Sequence, residues 1–150
     1  MSGAGAPKLE IDASGLQVAI VVTSWHTEIT DGLLAGAERA LQAAGNTEYE
    51  IWRVPGAFEL PLGAQYAIDA GADVVIALGV VIQGDTPHFD YVCSAATDGL
   101  NRVQLDSGIP VGFGLLTVNT EQQALDRAGL PGSKEDKGAE AVEAAVLMAR

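Results

Sequence analysis

The sequence predicts an α/β fold, a three-layer sandwich with a four-stranded parallel sheet between helices. Two observations carry this prediction. Short apolar, β-branched runs recur four times along the chain, without the strict alternation of a half-exposed antiparallel strand. Between them lie stretches in which apolar residues return at helical spacing, and strands alternating with helices imply βαβ units. The 150 residues, 48% hydrophobic and 19% charged, suit a single domain over 1–150 that buries a core of its own.

Residues 1–15, "MSGAGAPKLEIDASG", read as a flexible N-terminal segment ending in a turn. "LQVAIVVT" (Leu16–Thr23) is the first strand. From Glu28 to Ala44, Ile29, Leu33, Ala37, Leu41 and Ala44 recur at helical spacing, and Gly45 and Asn46 stop the helix. "TEYEIWRV" is a second strand, and "VPGAFELPLGAQYAIDAGA" turns into a helix that ends near Gly71. "DVVIALGVVI", the most apolar run, is the third strand. The third helix is predicted to open with Thr86 as cap, Pro87 first and His88 in the first turn. Val92, Ala96, Leu100 and Val103 mark its buried face. "PVGFGLLTVN" is the fourth strand. Thr120 with Gln123 reads as a capping box for a fourth helix, and Ser133 with Asp136 as one for a fifth.

Composition excludes several classes of function. A formal charge of −12, with only eight Lys and Arg, argues against a nucleic-acid partner. No apolar stretch reaches membrane-spanning length, and nothing resembles a signal peptide, so a cytoplasmic protein is expected with no membrane partner. The single cysteine, Cys93, fits a reducing compartment. No metal is expected, because no Cys or His cluster has ligand spacing.

Open parallel sheets bind ligands outside the carboxyl ends of their strands. Strand one ends in "TSWHTEIT", strand two in "VPGAFELP" and strand three in "IQGDTPHFDY". Each end carries an aromatic residue and polar groups, which points to a pocket. Gly84 lets backbone approach a ligand, and the free amides at the following helix start suit an anion such as phosphate. The positive end of the helix dipole disfavours imidazolium, so His88 is predicted neutral at pH 7 and suited to shuttling protons. Plainer readings stand beside these. Trp25 suits a core or rim position, Glu59 a solvated first-turn carboxylate, and Arg127 the last turn of its helix. His26 is given no chemistry. The residues alone lead to an α/β domain with a small-molecule, anion-accepting pocket.

Taken together, "SWHTEIT", "VPGAFELP", "ALGVVIQGDTPHFDYVC", "GFGLLTVNTEQQALDRAG" and "DKGAEAVEAA" resemble the lumazine synthase family in order and spacing. The resemblance runs from about Leu16 onward and is most similar to actinobacterial members, which also carry Trp in the first motif. It implies a flavodoxin-like sandwich. It also implies a cofactor-free condensation in riboflavin biosynthesis. There 5-amino-6-ribitylaminopyrimidinedione and 3,4-dihydroxy-2-butanone 4-phosphate give 6,7-dimethyl-8-ribityllumazine, phosphate and water. By the same resemblance, Trp25 stacks on the pyrimidine, and Ala57, Phe58 and Glu59 line the ribityl chain. Val81 and Ile82 offer backbone to the heterocycle, Gly84, Asp85 and Thr86 cradle the phosphate, and His88 is the acid–base residue. Phe113, Arg127 and Lys137 match residues that the family brings from an adjacent subunit, with Arg127 as the phosphate clamp.

Phe113 is placed near the start of its strand, away from the three loops, which agrees with a site shared between subunits and an obligate homo-oligomer. The family forms pentamers, some of which build shells of sixty subunits. The length of "LPGSKED" favours the free pentamer, and the N-terminal segment is a candidate strand for a neighbouring subunit's sheet. Three departures stand out. Gln83 replaces the usual Arg or Lys, Asp85 adds negative charge at the phosphate cradle, and the sequence stops at Arg150, several residues short of the family's usual final helix. Gln83 gives weight to a competing reading, a non-catalytic flavin- or lumazine-binding homologue, against which His88 and Arg127 count. A flavodoxin electron carrier is rejected because "TSWHTEIT" contains no glycine. A receiver domain is rejected because the acidic pair after strand one is missing.

Overall fold

The computed structural model describes Gly5 and residues 10–149. The expected strand exchange by the N-terminal segment concerns residues that lie mostly outside these. From Ile11 onward the chain is tied down. Ala13 is buried, its amide donates to the Ala44 carbonyl at 2.9 Å, and Asn46 Nδ2 donates to the carbonyls of Ala13 and Leu16.

The elements follow the predicted order: β1 (Val18–Thr23), α1 (Thr27–Ala43), β2 (Glu50–Val54), α2 (Leu60–Asp69), β3 (Val74–Ile82), α3 (His88–Ser107), β4 (Val111–Val118), α4 (Glu121–Leu125) and α5 (Lys137–Ala149). A 3-10 turn, Ala57–Glu59, precedes α2. The four strands are all parallel, in the order β2-β1-β3-β4. This is the flavodoxin-like three-layer arrangement. Alternate residues of β1 and β3 point to opposite layers. Val18, Ile20 and Val22 join Ile29, Leu33 and Leu41 of α1 and Val142 and Val146 of α5 on one face. Ala19 and Val21 join Leu60 and Ala64 of α2 and Ala96 and Leu100 of α3 on the other. Burial on both faces explains why β1 and β3 read as unbroken apolar runs.

The capping chemistry divides. Thr120 Oγ1 accepts from the Gln123 amide at 3.2 Å and Gln123 Oε1 accepts from the Thr120 amide at 3.3 Å, the predicted box. The box expected at Ser133 does not form. Ser133 Oγ instead accepts from the Leu130 amide and donates to the Leu125 carbonyl, which closes its own loop. Asp136 opens α5, its Oδ1 accepting from the Ala139 amide at 3.1 Å. At α3 the start falls one residue late: Pro87 precedes the first helical residue, His88, whose amide donates to Thr86 Oγ1 at 3.4 Å.

Candidate active site

The chain runs outward from β1 to β2 and then returns to place β3 on the other side of β1. That reversal opens a crevice at the carboxyl ends of the strands, where α/β sheets bind ligands. A cavity of 770 Å³ lies there. Trp25 and His26 reach it from the end of β1, and Gly56, Ala57, Phe58 and Glu59 from the loop after β2. Val80, Val81 and Ile82 enter from β3, and His88, Tyr91 and Val92 from α3.

Local chemistry sets these groups. Ser24 anchors the β1 end to the β2 end, its amide donating to the Pro55 carbonyl and its hydroxyl to the Val54 carbonyl at 3.0 Å. The Trp25 indole lies against Gly56, where a side chain would meet its Cδ1 and Nε1 at 3.4 and 3.5 Å. Trp25 and Phe58 are each 65% exposed, an unusual display of aromatic surface at the rim of a cavity. Glu59 Oε1 accepts from the Gly56 amide at 2.9 Å, which orients the carboxylate at the cavity. Val81 and Ile82 end β3, and the Gln83 amide donates to the Val118 carbonyl, so the strand pairing with β4 runs up to the loop.

The predicted residues fall into three groups. Trp25, Ala57, Phe58, Glu59, Val81, Ile82 and His88 share the cavity. Gly84, Asp85 and Thr86 form the exposed loop that joins Ile82 to His88, and a side chain at Gly84 would meet only open space. Phe113, Arg127 and Lys137 line a second cavity of 420 Å³ beside the edge strand β4, which shares no lining residue with the first. Arg127 lies just past α4, where its Nη1 donates to the Gln123 carbonyl at 2.8 Å, and its Nε sits 3.5 Å from Glu135 Oε2.

His26, given no chemistry by its residue type and surroundings, stands at the same strand end as Trp25. It lines the main cavity and, among the described residues other than glycine, is the one with positive φ, 55°. Its carbonyl accepts the first amides of α1, from Ile29 and Thr30. Cys93 follows Val92 on α3, and burial, then Asp90, raises its thiol pKa, which disfavours a thiolate.

A parallel α/β sandwich with an imidazole, an oriented carboxylate and exposed rings around the strand ends defines a small-molecule enzyme site. The sequence comparisons then narrow the class. A profile of the 6,7-dimethyl-8-ribityllumazine synthases matches residues 15–150. A 6,7-dimethyl-8-ribityllumazine synthase of Kineococcus radiotolerans is 64% identical over 146 residues, covering 97% of this chain and 91% of the relative. One from Leifsonia xyli subsp. xyli is 62% identical over 151 residues, 99% of this chain and 95% of the relative. One from a Nocardioides species is 60% identical, over 100% of this chain and 94% of the relative. The chain belongs to the 6,7-dimethyl-8-ribityllumazine synthase family.

Proposed function

We propose that this chain is a working lumazine synthase of riboflavin biosynthesis. It condenses the ribitylaminopyrimidinedione with the butanone phosphate in a site completed by a second copy. The observation that carries this reading is the division of most of the predicted residues between two cavities with no shared lining. One cavity has the rings, the carboxylate and the imidazole that suit a ribitylated heterocycle. The other has two cations suited to a phosphate ester.

The chemistry asks for proximity and proton transfer. The pyrimidine amine attacks the ketone carbon, a C–N bond forms, and water leaves. Loss of a proton from the adjacent carbon expels phosphate with the electron pair of its C–O bond, and the enol formed becomes a carbonyl. The ribitylamino nitrogen closes the ring on that carbonyl and a second water leaves. His88, at the first turn of α3 and lining the main cavity, serves these transfers as acid and base. Trp25 and Phe58 provide stacking surface, and Glu59 accepts from ribityl hydroxyls. The exposed Gly84-Asp85-Thr86 loop and the Arg127 guanidinium take the phosphate. Holding both reactants converts a two-body encounter into a one-body step.

A pentamer is the assembly this reading favours, with Phe113, Arg127 and Lys137 of one copy meeting the main cavity of the next. The lone Cys93 suits the cytoplasm. The test is turnover of both substrates, followed by lumazine absorbance together with phosphate release. A rate well above the uncatalysed condensation, lost in His88→Ala and in Arg127→Ala, supports the reading. A rate equal to background in the unaltered protein overturns it.

A further inference from the structure

We propose that Glu135 is a positioning residue for the phosphate end of the site, holding the Arg127 guanidinium and the Lys137 ammonium in one fixed pair. This rests on the reading of Arg127 as the phosphate-binding cation. Glu135 lies in the "LPGSKED" segment that joins Gly129 to Lys137.

The segment is closely bonded. The Glu135 amide donates to the Asp126 carbonyl at 2.9 Å, the Gly129 amide to the Glu135 carbonyl at 3.1 Å, and the Lys137 amide to the Arg127 carbonyl at 3.0 Å. An antiparallel bridge between Ala128 and Asp136 lies among these bonds. The backbone thus sets Glu135 and Lys137 directly beside Arg127.

The side chains complete the arrangement. One carboxylate serves two cations: Glu135 Oε2 is 3.5 Å from Arg127 Nε, and Oε1 is 3.1 Å from Lys137 Nζ. The Glu135 side chain is only 10% exposed, and its Oε1, cut off from solvent, accepts no hydrogen bond among the described residues, so Lys137 meets it as an ion pair alone. Lys137 has a second carboxylate, Glu140 Oε2, at 3.4 Å. Among the described residues Arg127 pairs with Glu135 alone, and its Nη1 is further held by the Gln123 carbonyl. With one Nη1 hydrogen bonded to Gln123 and Nε held near Glu135 as an ion pair, donors remain on both terminal nitrogens, the geometry that binds a phosphate bidentately. Without the carboxylate, two like charges in one half-buried cleft would push apart, and the fork would lose its fixed orientation.

The experiment compares Glu135→Gln, Glu135→Asp, Glu140→Gln and Arg127→Ala in the assembled enzyme. The readouts are steady-state kinetics in each substrate for the Glu variants and direct binding of inorganic phosphate, by calorimetric titration, for all four. Glu135→Gln is expected to raise KM for the butanone phosphate and Kd for phosphate roughly tenfold, with KM for the pyrimidine within about twofold. Glu135→Asp, which keeps the charge, recovers part of the loss, and Glu140→Gln, which leaves Arg127 its partner, has a smaller effect. If Glu135→Gln raises both KM values alike, or leaves phosphate binding unchanged while Arg127→Ala abolishes it, the positioning role is wrong. If Arg127→Ala itself leaves phosphate binding intact, the clamp reading fails and this proposal falls with it.

Discussion

The Asp136 carboxylate fills the space that a side chain on Gly36 would need. A Cβ built there would lie 2.9 Å from Asp136 Cγ. From this slot Asp136 accepts from the Ala139 amide and meets Arg39 Nη2 at 3.2 Å, tying α5 to α1. Gly138 makes the reverse contact, a Cβ there falling 3.0 Å from the Leu33 carbonyl carbon. Alanine at 36 would gain about 1 kcal/mol in helix propensity, but overpacking typically costs about 1–3 kcal/mol. Gly36→Ala is therefore expected to lower the unfolding midpoint at fixed protein concentration, and a rise would contradict the close packing.

Asp136 also separates capping from charge. Asn at 136 keeps an oxygen for the Ala139 amide and loses the ion pair with Arg39, which is more than half exposed. Denaturant titration should find Asp136→Asn nearly as stable as the parent and Asp136→Ala lower by about 1 kcal/mol. Equal losses in the two variants would mean that the ion pair, and not the cap, matters.

Thr23 ends β1 with a hydroxyl that has no hydrogen-bond partner among the described residues, although the residue is only 1% exposed. Its methyl packs where a side chain on Gly79 would stand, at 2.8 Å. Thr23→Val removes the unpaired group at similar volume and is expected to stabilise by about 1 kcal/mol. Thermal melts decide: a lower midpoint would show that the hydroxyl is bonded in solution.

Glu143 sits on α5 where burial first, then Glu140 and Asp136, raise its carboxyl pKa above the usual range. The folded state therefore binds this proton more tightly than the unfolded state. The group's stabilisation is complete below the ordinary carboxylate pKa and is lost as pH rises through the folded value. Glu143→Gln should melt higher than the parent at pH 7, and the difference should vanish near pH 4, about the ordinary glutamate value. A difference that stayed constant with pH would point to a packing effect.

The two-cavity division predicts complementation between copies. Preparations of His88→Ala and Arg127→Ala, each inactive alone, are unfolded together in equal amounts and refolded into mixed oligomers. If each site takes its imidazole from one copy and its guanidinium from the next, about a quarter of the sites are whole. Recovery of about that share of the activity is expected. Mass-verified mixing with no recovery would put both residues in the site of a single copy.

Much of this architecture is local and was legible in the residues. Periodicity distinguishes Ile29, Leu33, Ala37 and Leu41 from the run Val74–Ile82, because side-chain spacing is set by the backbone of each element. Thr120 and Gln123 announce their capping box for the same reason, since both partners lie within one turn. Ser133 and Asp136 have the same spacing, yet the Ser133 hydroxyl was taken by Leu130 and Leu125, a competition that spacing does not record. That His26 lines the cavity depends on where it stands in the fold, and residue type carries no such information.

By itself the sequence determined the order of strands and helices, the identity of the aromatic, acidic and imidazole groups at the strand ends, and the family. Tertiary structure alone decided that β3 pairs with β1 rather than with β2, which opens the crevice between Trp25 and His88. It also decided that Glu135 meets Arg127 and Lys137. Both depend on which distant surfaces bury one another, and that is a property of the whole packed chain.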